Sequence, residues 1–134
     1  MMSSRNLWGE PFSEEVKAPV QILAEQAALL GQMTNNILDG RVENQSKGRT
    51  FTFDLNVVAP ALGNYVYGIL RIDYKLEFYP LRLQSHADQA EYDCANEEDF
   101  LKVLEEVLAS KKVRSIVTSL LSQSRVLHKK DAPY

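Results

Sequence analysis

From Tyr65 to Tyr79 the chain alternates. Val66, Leu70, Ile72, Tyr74, Leu76 and Phe78 are apolar at the even positions, with Gly68 among them, and Arg71, Asp73, Lys75 and Glu77 carry alternating charge at the odd ones. Strand side chains point alternately to opposite faces, so this spacing predicts one long strand over 65–79 with an apolar face and a charged face. A second alternating segment, about 49–59, sets Phe51, Phe53, Leu55 and Val57 on one side and Thr50, Thr52, Asp54 and Asn56 on the other.

The register of the hairpin joining them follows from the pattern. The apolar odd positions of the first strand must share a face with the apolar even positions of the second, because a slip of one residue would turn every side chain over. Opposed residue numbers summing to 125 leave a four-residue loop, Ala61 to Asn64, and pair Leu55 with Leu70, Phe53 with Ile72, Phe51 with Tyr74 and Asp54 with Arg71. On the outer face the same register gathers Val58, Tyr65, Tyr67 and Ile69 near the turn. A half-apolar, tyrosine-rich patch is a common composition for a protein contact, and these four residues form the expected partner-binding surface.

Pro80 offers no N–H to a ladder, and the alternation changes phase there, with Leu81 and Leu83 apolar at odd positions. The expectation is a bend, a short strand around 81–85, and a fourth around 90–94. Before the hairpin, Val16, Val20, Leu23, Ala27, Leu30, Met33 and Ile37 recur every three or four residues and predict a helix from about 14 to 39. Ser13 is its expected N-cap, with Glu14 and Glu15 in the first turn; Pro19 marks where regular helix can begin, and Gly40 is the expected stop. Residues 41–48 read as a polar loop. After the strands, Asn96 followed by Glu97, Glu98 and Asp99 starts a helix. Its apolar set Phe100, Leu101, Leu104, Val107 and Leu108 points nearly opposite to the set Val113, Ile116, Val117, Leu120 and Leu121 on one continuous helix. A break near Ala109–Lys112, with Ser110 capping a second helix, lets both sets face the sheet.

The expected fold is therefore α+β in a single domain, residues 1–134: an N-terminal helix, an antiparallel meander of three or four strands, and two C-terminal helices on one face of the sheet. Residues 1–12 form an irregular arm anchored on the body by Trp8 and Phe12, and 126–134 a flexible tail.

Composition adds boundaries. A chain of 134 residues, 45% hydrophobic and 25% charged, can bury a real core. A net charge of −3 argues against a general nucleic-acid binder. With Cys94 as the only cysteine, no intrachain disulfide forms. The N-terminus has no apolar signal core and no run is long enough to span a bilayer, which points to a cytoplasmic protein with no membrane partner. Eight acids and one base lie between Asp88 and Glu106, whereas six bases and no acid lie between Lys111 and Lys130. Such a bipolar surface suits helix dipoles and suits a charged partner equally.

Three chemical constellations stand out. Asp54 with Asp73-Tyr74-Lys75 resembles the Asp…Asp-x-Lys pattern of the restriction-endonuclease-like nucleases, and the helix–strand–strand order resembles the start of that core. The resemblance implies a Mg²⁺ ion held by Asp54 and Asp73 and a water positioned by Lys75. The register above instead sets Asp54 beside Arg71, as in a solvated ladder of alternating charge. His86, Asp88, Glu91, Asp93 and Cys94 are ligand types in a cluster, but their spacing matches no structural zinc pattern. Cys94 with His86 or His128 is a nucleophile–base pairing by residue type alone. The six glycines form no phosphate-binding loop.

The functional expectation is a small non-catalytic binding module with no cofactor, such as an adaptor, an immunity-type inhibitor or a secretion chaperone. It would dock a protein partner, or a second copy of itself as a homodimer, through the outer sheet face. The metal-dependent nuclease is the alternative.

Overall fold

The structure, a computed structural model, describes residues 4–13 and 16–128. Five antiparallel strands form one sheet in chain order: β1 (Asp39–Asn44), β2 (Phe51–Ala59), β3 (Tyr65–Tyr74), β4 (Leu81–Ser85) and β5 (Ala90–Cys94). Helix α1 (Pro19–Met33) precedes the sheet, and α2 (Glu97–Leu108) and α3 (Lys111–His128) follow it. The class is the expected α+β, with five strands in place of three or four.

The central hairpin begins in the expected register, from Phe51↔Tyr74 to Leu55↔Leu70. It then departs. Asn56 pairs with Gly68, so Ile69 is an extra residue on β3 and the register shifts by one toward the turn. A bulge of this kind turns the following side chains over. It lets both Leu70 and Ile69 enter the core, where Ile69 is 3% exposed. Gly68, beside the bulge, sits on the outer face under Asn56 and His86: a methyl there would lie 3.4 Å from Asn56 Oδ1 and 3.6 Å from His86 Cδ2.

The predicted strand over 65–79 ends at Tyr74. β2 begins at Phe51, opposite Tyr74, so the chain beyond has no β2 partner to pair with. Leu76, apolar in the alternation, is 78% exposed. The Phe78 N–H donates to the Lys75 carbonyl at 2.8 Å, closing a turn that brings the Phe78 ring edge-on to Tyr74, centroids 5.9 Å apart. β4 and β5 occupy the segments expected for them.

β1 falls where a polar loop and a helix end were expected. Its sequence, Asp-Gly-Arg-Val-Glu-Asn, offers one large apolar residue, as suits an edge strand exposed to water. Helix α1 accordingly stops at Met33. The Thr34 hydroxyl donates to the Leu30 carbonyl at 2.9 Å and accepts from the Leu38 N–H at 3.2 Å, while Asn35 and Asn36 take left-handed conformations. Ala18, not Ser13, precedes the first helical turn, which opens on Pro19. Glu14 and Glu15 lie outside the described residues.

The C-terminal helices follow their expected signals. Asn96 Oδ1 accepts from the Asp99 N–H at 2.8 Å, and Ser110 Oγ accepts from the Val113 N–H at 3.3 Å where the chain breaks between α2 and α3. α3 is helical through His128, which includes the first three residues of the expected tail; 129–134 lie outside the described residues.

All three helices cover one face of the sheet. α1 lies against β1 and β2, α2 against β5, and α3 against β2 and the 3-10 turn Pro60–Leu62. The core between the layers joins Phe53, Leu55, Val57, Leu70, Ile72 and Leu83 to Ile22, Leu23, Phe100, Leu104 and Val113. Trp8 and Phe12 do not anchor the arm on this body. They pack edge-on against each other, centroids 6.0 Å apart, and both stay open to solvent. Among the described residues, no helix is long and apolar enough to cross a membrane.

Candidate binding groove

The outer sheet face is a lattice of paired polar groups. Arg71 Nε and Nη2 donate to the two Asp54 oxygens at 2.6 and 3.1 Å, a bidentate pair that holds the guanidinium pKa above its ordinary value. The Thr52 hydroxyl donates to Asp73 at 2.6 Å, and Arg82 approaches Asp93 at 3.5 Å. Lys75 lies beyond the end of β3. Asp54 and Asp73 are thus each bonded to a neighbouring side chain across the sheet. Among the described residues, no three acidic, histidine or cysteine side chains are placed to hold a metal.

The 86–94 cluster is dispersed by the β4–β5 hairpin. Asp88 sits in its turn, accepting from Tyr92 Oη at 3.0 Å and from the Ala90 N–H at 3.3 Å; its carboxyl is held below the usual range chiefly by a hydrogen bond from Ser85. Glu91 and Asp93 are exposed, and Cys94 is buried in the core. Burial pushes the Cys94 thiol up to about 11, the opposite of what a nucleophile needs.

The expected partner patch does not assemble on the outer face. The bulge carries Ile69 into the core, and Val58 is 1% exposed. Tyr67 now pairs with Val57 and packs against the core edge, where burial raises its pKa. Tyr65 alone of the four stays largely open.

Ile69 instead floors a groove on the helical side. Together with Leu55 it forms the base of a cavity of about 600 Å³ between α1 on one side and α2–α3 on the other. Ala27, Leu29, Leu30 and Met33 line the α1 wall; Leu101, Leu104 and Leu108 of α2 and Val113, Val117 and Leu121 of α3 line the opposite wall. The volume is in the range of ligand-binding clefts. Leu29, Met33 and Leu101 stand exposed at its lips, Met33 at 76%. Glu105 of α2 and Arg114 of α3 also line it, and neither makes an ion pair among the described residues. With Gln26, Thr34 and Thr118 they supply the polar contacts. The groove offers apolar burial flanked by one acid and one base, and among the described residues its lining holds no cysteine, histidine or serine.

Most of these residues belong to stripes read in the sequence as core-facing. The signal that the stripes are wider than the sheet needs is Leu29 beside Leu30 and Leu101 beside Phe100, each adding a large side chain at the margin of its helix's buried arc. No protein-family model, no curated protein and no solved structure matches this chain.

Proposed function

We propose that this protein is a non-catalytic binding module whose groove receives an apolar peptide segment of a protein partner. The observation that carries this reading is the open cavity walled by α1 and α2–α3, with large apolar side chains left exposed along its lips. Exposed leucine and methionine around a concave apolar surface suit a segment that inserts two or three large side chains. Unpaired Glu105 and Arg114 favour a segment that also carries a base and an acid. The outer face, in contrast, carries the ion pairs Asp54–Arg71, Asp39–Arg41 and Asp93–Arg82.

Selection from a random peptide library on the immobilised protein tests this. The expected winners combine Trp, Phe or Leu with a flanking base and acid. Their binding is lost in Met33→Asp/Leu101→Asp and kept in the outer-face variant Arg82→Glu. Absence of enrichment on both the wild type and the arm variant Trp8→Ser/Phe12→Ser, or binding indifferent to the groove variant, overturns the proposal.

A further inference from the structure

We infer that the segment this groove takes is the N-terminal arm of a second copy of the chain, so that two copies exchange arms in a two-fold dimer. The inference rests on the groove reading above. Leu7, Trp8, Phe12 and Val16 are each between 74 and 80% exposed. Single exposed apolar residues are ordinary, but four within ten positions form a sticky strip. The Trp8 and Phe12 rings touch each other, and all four side chains stay largely open to solvent. The same molecule thus holds an unfilled apolar groove and an unburied apolar segment.

Charge is complementary. Arg5 and Glu10 flank Leu7 and Trp8, and neither makes an ion pair among the described residues. The groove presents Glu105 and Arg114, likewise unpaired. One docking direction sets Arg5 against Glu105 and Glu10 against Arg114, and the reverse direction sets like charges together.

In the structure the arm does not fill its own groove, and pairing with a second copy gives it a route into another. Lys17 is tied to Glu25 at 3.0 Å, so the arm leaves its own chain at the N-terminal end of α1. The α1 side chains lining the groove run from Gln26 to Met33, on its C-terminal half. A two-fold axis that sets two α1 helices antiparallel brings each arm to the C-terminal half of the other helix. Burying a Trp and a Phe hides roughly 150–250 Å² each, so one arm with Leu7 covers about 500 Å² of its own surface and a similar area of groove. Two arms then bury about 2,000 Å², enough for a stable interface of about 1,200–2,000 Å².

The test is light scattering on the full chain at tens of micromolar, together with fluorescence of the apolar dye 1-anilinonaphthalene-8-sulfonate. The wild type is expected at twice the 15.2 kDa chain mass with little dye bound. Trp8→Ser/Phe12→Ser changes only exposed side chains. It is expected to keep its circular dichroism, to weaken dimerisation on the order of a hundredfold or more, and to bind dye. A wild type of single-chain mass, or a double variant that remains dimeric, overturns arm exchange. The groove reading outlives that result if dye binds and Met33→Asp/Leu101→Asp removes it. It falls as well if neither the wild type nor the arm variant binds dye.

Discussion

Gly40 decides how closely α1 can approach the sheet, and Gly40→Ala measures that approach. A methyl at this position would lie 2.6 Å from the Ala27 Cα and 2.8 Å from its carbonyl carbon. Carbon atoms in contact sit about 3.5–4.0 Å apart, so helix and strand must separate by about 1 Å. The added methyl meets Ala27 backbone, and no rotamer change relieves the clash. Overpacking of this kind costs about 1–3 kcal/mol. Gly40 is not at positive φ, so alanine also restricts the unfolded chain, which returns about 0.4–1 kcal/mol. The net expectation is a loss of about 1–2 kcal/mol. Urea unfolding followed by circular dichroism should show a lower midpoint with an unchanged slope. Because α1 is one wall of the groove, the displaced helix should also weaken the binding of selected peptides. An unchanged or raised midpoint would refute the close helix–strand packing and the position of the wall that depends on it.

The remaining predictions address the bulge, alkaline pH and a helix cap. Ile69→Ala should cost about 2–4 kcal/mol in chemical denaturation if the bulge turns Ile69 into the core, whereas a solvated outer-face position would cost under about 0.5 kcal/mol. The Tyr79 hydroxyl is buried without a hydrogen-bond partner, and burial pushes its pKa up to about 12 from 10.0. The unfolded chain releases that proton first, so stability should fall as pH rises from 10 to 12; Cys94, pushed up to about 11 from 9.0, adds to the fall from pH 9. Tyr79→Phe should remove its part of this fall, visible as a higher alkaline midpoint, and leave neutral stability equal or higher. Asn96→Ala should lower stability by about 1 kcal/mol in thermal or urea melts through loss of the α2 cap.

Legibility in the sequence followed strength of local pattern. The Asp54–Arg71 pair, the β2–β3 register as far as Leu55, and the break at Ser110 were readable because each rests on residues a few positions apart or directly opposed. β1 was not, because an edge strand with Val42 as its one large apolar residue looks like a loop until its partner is known. The end of β3 was misread for the converse reason: Leu76 and Phe78 continue the alternation, and only the start of β2 at Phe51 ends the ladder. The bulge mattered most for the site. A one-residue slip after Leu55 dismantled the outer patch expected from Val58, Tyr65, Tyr67 and Ile69. It placed Ile69 beneath the helices, and no local sequence rule locates such a slip.

Strand order equals chain order in this sheet, so the two walls of the groove come from opposite ends of the meander. During synthesis α1 and the strands emerge first and can pair as they appear, since each strand's neighbour is the next in sequence. Leu55 and Ile69 then face α1 on one side and water on the other until Glu97–Leu108 and then Lys111–His128 leave the ribosome. Among the described elements, the α3 side of the groove is the last that the nascent chain supplies. A chain released before α3 would keep its sheet pairings and expose an apolar slope that α3 otherwise walls.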